Sequence, residues 1–273
     1  MAKSKDISSS PIGVFDSGIG GLTVANAIQK VLPHESLIYF GDTAHLPYGD
    51  KSPDSIKYYA IRISQFLMER NCKMIVIACN TASSIAYETV KDFVGSKVPV
   101  VDVISPVVNH VVRDKAIHKV GVIGTKGTIK SDIYSKKIHA ASKKLEVASL
   151  ATPLLAPMIE EGFFNNKISR TVIGSYLDSR KLSKIDGLIL ACTHYPLIRP
   201  EVEEYYKGQV KIIDTAGVVA DYVKQVLKEK KLLSKKKSPV HHFYVSDFTR
   251  SFEESTRYFF KNKIHLEKID IWK

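Results

Sequence analysis

Met74-Ile-Val-Ile-Ala-Cys79-Asn-Thr81 and Leu188-Ile-Leu-Ala-Cys192-Thr-His194 follow one pattern: an apolar run of strand length, then alanine, cysteine and hydrogen-bonding side chains. A second pair accompanies them, Ile12-Gly-Val-Phe-Asp16-Ser17-Gly18 being echoed by Val120-Gly-Val-Ile-Gly124-Thr125-Lys-Gly127. The offsets are 108 residues (Gly13 to Gly121) and 113 (Cys79 to Cys192). Offsets so nearly equal predict two similar halves, each with a glycine-containing loop after one strand and a cysteine after another. Two of only three cysteines fall in register, which chance similarity between apolar strands does not explain.

Outward from these stretches, short apolar runs at 12–15, 36–40, 73–78, 98–104, 120–124, 145–150, 185–191, 210–213, 242–245 and 264–271 alternate with longer amphipathic segments. Strands separated by helices indicate an α/β chain built on parallel sheets. The clearest helix is predicted over 53–70, where Ile56, Tyr59, Ala60, Ile63, Phe66 and Leu67 recur at helical spacing behind Pro53. Further helices are expected after Gly21, Thr81, Thr128, Pro196 and Thr215.

At 273 residues, 44% hydrophobic and 25% charged, the chain has an ordinary globular composition with length for two domains or one large one. Disorder and collagen-like repeats are excluded. Three cysteines make no disulfide framework and point to a reducing, cytoplasmic setting. No apolar run approaches the length of a membrane span, and the polar start before Pro11 lacks the apolar stretch of a secretory signal, reading as a short frayed tail.

Cys79 and Cys192 each close a strand at its carboxyl end, where open parallel sheets place their ligand crevices. Two halves facing one another would bring the thiols to opposite walls of one cleft. Asn80-Thr81 and Thr193-His194, with the helix N-terminal amides beyond them, would offer donors to an anionic substrate. One acid and one base on opposite faces of a carbon is what inversion of a stereocentre requires, and thiols serve in either protonation state near neutrality if the site shifts them modestly. Cys72, just before its strand, reads as a buried core residue. No ligand spacing suggests a metal, and His241-His242 reads as a solvated pair in a basic loop.

Phe15-Asp-Ser-Gly-Ile-Gly-Gly-Leu22, Gly41-Asp-Thr-Ala-His-Leu-Pro-Tyr-Gly49, Ala78-Cys-Asn-Thr-Ala82 and Ala191-Cys-Thr-His-Tyr-Pro196 resemble the motifs of the glutamate racemases, in that family's order and from about Ile12 to the end of the chain. The resemblance implies two α/β domains with the active site in the cleft between them. Residues 1–100 plus 211–273 would form one domain, the last stretch completing it, and 101–210 the inserted second. It implies a cofactor-independent enzyme, commonly a homodimer, that makes D-glutamate for peptidoglycan.

Carried over residue by residue, it makes Cys79 the acid/base group for D-glutamate and Cys192 the one for L-glutamate. Asp16 and His194 would assist the thiols of their own halves, and Glu160 in Pro157-Met-Ile-Glu160 would tune the second side. Asp16, Ser17, Tyr48, Gly49, Asn80, Thr81, Thr193 and His194 would hold substrate. Read alone, Asp16 is equally a helix-capping or loop aspartate and Tyr48-Gly49 a turn. Thr152 stands where many members resemble Ala-Cys-Pro, which removes a thiol that the chemistry does not use.

Two other classes compete. Gly18-Ile-Gly-Gly21 followed by Asp42 outlines a dinucleotide site, but Thr23 occupies the third glycine position and Asp16-Ser17 intervene after the strand. The formal charge of +12 suggests a binder of acidic ligands or nucleic acid. Its densest contribution, seven lysines against one glutamate over 224–237, reads as a solvated helix end, and the motif-bearing loops hold few lysines. Nucleic acid is therefore not an expected partner. Related folds that handle aspartate, hydantoins or arylmalonates remain open as substrate alternatives.

Overall fold

A computed structural model describes residues 7–248, 250–260 and 264–273. Its strands are β1 (Ile12–Asp16), β2 (Leu37–Gly41), β3 (Met74–Ile77), β4 (Val100–Asp102), β5 (Lys119–Gly124), β6 (Glu146–Ala151), β7 (Gly187–Ala191), β8 (Lys211–Ile213), β9 (His241–Val245) and β10 (Leu266–Lys268). Between them run α1 (Leu22–Val31), α2 (Pro53–Glu69), α3 (Asn80–Val94), α4 (Ile104–Arg113), α5 (Lys126–Lys130) and α6 (Ile133–Ala141). α7 (Leu155–Glu160), α8 (Lys167–Leu177), α9 (Arg199–Tyr206), α10 (Thr215–Glu229) and α11 (Arg250–Phe259) complete the set. No described helix is long and apolar enough to cross a membrane.

Among the described residues all pairings are parallel, and the strands divide between a six-stranded sheet ordered β10-β9-β2-β1-β3-β4 and a four-stranded sheet ordered β6-β5-β7-β8. The α/β class and parallel sheets are those expected. Moreover β2-β1-β3-β4 and β6-β5-β7-β8 have the same order, so the sequence echo is an echo of topology. Gly13 and Gly121 occupy the same position on the two central strands. A methyl group on either would stand about 3 Å from the side chains packed above it, Leu67 and Cys72 in one lobe, Ile185 and Leu188 in the other.

β1, β2, β3 and β7 are buried along their whole length, which is why they read as continuous apolar runs rather than alternating ones. α2 begins where Ser52 caps it, its side chain accepting from Ser55 N at 3.2 Å, and Pro53 takes the first position. Ile56, Ala60, Ile63, Phe66 and Leu67 lay its apolar stripe on the first sheet. α10 packs against α1 and α4.

Three details differ from expectation. β8 pairs with β7, so the second sheet continues through Ile213 and the chain returns to the first sheet through α10, later than residue 210. The physical cause is burial: Ile212 and Ile213 enter the second core while Lys211 faces solvent. His241-His242 opens β9 instead of lying in a solvated loop; His241 Nε2 sits 3.0 Å from Gln29 Nε2, and His242 stacks on Tyr244. Of the polar start, residues 1–6 lie outside the described residues, and Ile7–Ser9 form one 3-10 turn whose Ser8 carbonyl accepts from the buried Lys73 ammonium.

Candidate active site

In each sheet the chain leaves the central strand in one direction and returns on its other side, so the carboxyl ends of β1 and β3, and of β5 and β7, flank a topological switch point. Ser17 and Cys79 stand at the first, Thr125 and Cys192 at the second. Both open on one cavity of about 220 Å3 lined from the two lobes. A larger depression between α4 and α10, about 510 Å3, holds neither cysteine and lies at no strand end.

Cys79 is the N-cap of α3, and its sulfur accepts from Ala82 N at 3.4 Å while the thiol donates to Ser17 Oγ at 3.6 Å. A helix N-terminus favours a thiolate. Burial nonetheless dominates, and with the nearby Asp16 charge it pushes the Cys79 thiol up to about 12. Asp16 is itself wholly buried behind the cavity wall, Oδ2 accepting from Gly21 N at 2.9 Å and Gly18 N at 3.2 Å. Its Oδ1 has no hydrogen-bond partner among the described residues, and burial raises the carboxyl above its ordinary value despite the opposing influence of His194.

Around Cys192 the partners differ. Its sulfur lies 3.6 Å from His194 Nδ1, and His194 Nε2 lies 2.8 Å from Glu160 Oε1 at the end of α7. Burial alone would lower the imidazole, but the hydrogen-bonding contact with Cys192 and the close negative charge of Glu160 outweigh it and hold His194 well above its usual value. The His194 ring also meets Phe259 of α11 edge-on, with centroids 5.3 Å apart.

The glycines that outlined a dinucleotide loop serve internal contacts. A Cβ on Gly20 would lie 2.5 Å from the His194 ring and 2.6 Å from Thr193 Oγ1, and one on Gly21 would lie 2.5 Å from the Asp16 side chain. Thr23 Oγ1 donates to Thr193 O at 3.0 Å, so the lobes touch beside this loop as well. Asp42 is fully buried, accepting from Tyr48 OH at 2.6 Å and Ser246 Oγ at 2.7 Å, and is closed to a ribose. No three His, Cys, Asp or Glu side chains converge as metal ligands among the described residues.

Ser17, Tyr48, Gly49, Cys79, Asn80, Thr81, Glu160, Cys192, Thr193 and His194 all line the cavity; Asp16 does not. Burial and the Asp42 charge push the Tyr48 phenol well above its ordinary value, so it stays protonated. Thr125, Leu46, Pro47 and Pro157 line the cavity too and escaped the sequence reading. Thr125 had a signal, since the 108-residue offset pairs it with Ser17. Its hydroxyl sits 2.9 Å from that of Thr81 and 3.2 Å from that of Thr128, a three-hydroxyl contact across the cleft. Thr152 is buried away from the cavity, its hydroxyl 2.7 Å from Tyr195 OH, which fits a structural role.

The Asp/Glu/hydantoin racemase profile matches residues 22–223. The chain belongs to the Asp/Glu/hydantoin racemase family. Members of this family are isomerases, and so is this enzyme. It is 40% identical over 265 residues to a glutamate racemase of Chlorobium phaeobacteroides, covering 97% of each chain. A glutamate racemase of Geobacter metallireducens is 41% identical over 242 residues, 88% of this chain and 89% of that one. Among solved structures, a glutamate racemase of Francisella tularensis in complex with D-glutamate superimposes with a TM-score of 0.91 at 39% identity, covering 97% of this chain and 99% of that one.

Proposed function

We propose that this racemase interconverts L- and D-glutamate without a cofactor, by proton transfer between Cys79, Cys192 and the substrate α-carbon. The observation that carries the reading is the pair of cysteines at facing switch points of one small cavity, each with its own polar partner. From the D-enantiomer, the Cys79 thiolate takes the α-proton and the Cys192 thiol delivers another to the opposite face. From the L-enantiomer the roles exchange. One proton leaves and one arrives, so each turn inverts the carbon and exchanges which thiol is charged.

The difficulty lies in the carbanion, which a carboxylate delocalises poorly. Donors aimed at the developing charge must stabilise it: the amides at the start of α3 and after Cys192, the Thr81 and Thr193 hydroxyls and the Asn80 amide. The two halves supply thiolates differently. His194, held as imidazolium by Glu160, donates toward the Cys192 sulfur. On the other side Asp16 and Cys79 compete for one negative charge in a buried pocket, so a proton on Asp16 eases ionisation of Cys79. Water excluded from the closed cleft strengthens both effects. D-glutamate formed this way would serve peptidoglycan synthesis, as the resemblance to glutamate racemases suggests.

Circular dichroism of L-glutamate and, separately, L-aspartate incubated with the enzyme tests the substrate. Loss of the glutamate signal, with one α-deuterium per inverted molecule in D2O, is expected. A persistent glutamate signal, or racemisation of aspartate alone, overturns the proposal.

A further inference from the structure

Asn80 follows Cys79 directly and lines the cavity. An asparagine side chain presents either of two nearly isosteric ends to a ligand, an accepting oxygen or a donating nitrogen. For a substrate carrying two carboxylates the choice matters, because a carbonyl oxygen turned toward a carboxylate repels it. In this structure the choice is made from the opposite lobe. Tyr134, at the start of α6 and 2% exposed, reaches across and donates its phenol O–H to Asn80 Oδ1 at 2.7 Å. With Oδ1 engaged, Nδ2 has no partner among the described residues.

We propose that Tyr134 is a positioning residue: it fixes the Asn80 amide so that its nitrogen, a donor, faces the substrate's carboxylate. The inference rests on the glutamate-racemase reading above. Burial, with Asp102 and Cys192 nearby, pushes the Tyr134 phenol further above its ordinary value, so it remains a donor throughout the working pH range. Its hydroxyl makes no other hydrogen bond within the described residues, so the contact with Asn80 is what Tyr134→Phe would delete. Without it the amide is free to turn, and part of the population would present oxygen to the ligand. Because the bond joins α6 of one lobe to the first turn of α3 in the other, it forms only when the lobes stand as they do here.

The test is a double-mutant cycle on KM with Tyr134→Phe, Asn80→Ala and the pair, each checked for a native melting transition and followed with both enantiomers. Tyr134→Phe is expected to raise KM for L- and D-glutamate about tenfold, the scale of one hydrogen bond to a charged group. The kcat should fall far less than in either cysteine variant, since neither thiol is touched. Asn80→Ala should raise KM at least as much. Adding Tyr134→Phe to Asn80→Ala should change it no further than about twofold, because the group that Tyr134 orients is gone. A merely structural tyrosine would lower the melting temperature of all variants and show no such coupling in KM.

An unchanged KM in folded Tyr134→Phe, or effects that multiply in the double variant, overturns the proposal while leaving the racemase reading intact. If the unmodified enzyme does not racemise glutamate, the functional reading fails and this inference fails with it. If Tyr134→Phe does not fold, Asn80→Asp provides the second arm. It replaces the donating nitrogen with an oxygen, and the proposal requires KM to rise by more than in Asn80→Ala. An equal or smaller rise overturns it.

Discussion

Cys79 and Cys192 sit at equivalent points of equivalent sheets, yet their surroundings share little. Cys79 caps a helix of 15 residues, while Cys192 leads into a single 3-10 turn, Tyr195–Ile198. The residue two beyond Cys79 is Thr81 and the residue two beyond Cys192 is His194; the position of Asp16 in the first half is taken by Gly124 in the second. The backbone has kept its symmetry and the helpers have diverged. The difference teaches that the proposed acid/base chemistry would be reached by two electrostatic routes: an imidazole held above its usual value beside Cys192, and a shared, desolvated negative charge beside Cys79.

Because L- and D-glutamate are enantiomers, their equilibrium constant is one, and every variant must lower kcat/KM equally in both directions. Divergence between the halves therefore shows only in kcat and KM taken separately. The severest break removes a thiol. Cys79→Ala and Cys192→Ala are each expected to reduce racemisation by at least about 10³-fold, the scale of a lost general acid or base. Polarimetry of both enantiomers checks this, and turnover in either variant within tenfold of the parent sinks the two-base scheme.

Next in size is the seam between the lobes. Gly20→Ala would set a methyl 2.5 Å from the His194 ring, so either the imidazole or the loop must move. Misplacement on that scale costs on the order of 100-fold in kcat/KM. Steady-state kinetics beside an unchanged far-ultraviolet spectrum would locate the damage in the site rather than the fold.

A sharper probe of the Cys192 side is Glu160→Gln, which removes the charge that holds His194 high. The alkaline limb of the pH–kcat/KM profile should move to lower pH. Stability follows by linkage. The folded pKa of His194 lies above its unfolded value of about 6.5, so its contribution is full below that pH and fades as pH rises through the folded value. The variant should therefore lose most stability near pH 6 and match the parent in alkaline solution. Denaturant titrations at several pH values, with the imidazole followed by NMR, distinguish this from a pH-independent loss.

The smallest effect is expected away from both thiols. Thr152→Cys weakens the bond to Tyr195 and should cost about 1 kcal/mol of unfolding free energy. Activity should be unchanged. A fall in kcat beyond threefold would mean that the Thr152–Tyr195 pair reaches the site after all.

Much of this was legible in advance. The ten strands of the described residues, the parallel class and the helix over 53–70 follow from apolar runs and helical spacing, most plainly at β1, β2, β3 and β7, because strands buried on both faces cannot disguise themselves with polar residues. The register of the two cysteines located the cleft. Thr125 was readable from the same echo as the partner of Ser17 and was passed over, because a threonine after a strand has many ordinary uses. Other features left no local trace. That Asp42 would be sealed under Tyr48 and Ser246, that Phe259 would lie against His194, and that Tyr134 would orient Asn80 all depend on contacts between segments far apart in sequence.

The sequence by itself determined the α/β class, the doubled topology and two equivalent thiols, since periodicity and repetition are local properties of a chain. Only the tertiary structure decided what each thiol faces. The desolvation that lifts Cys79 and the ion pair that holds His194 arise from which atoms of segments distant in sequence exclude water or supply charge, and within a few ångströms those neighbours set the proton affinities on which the proposed chemistry depends.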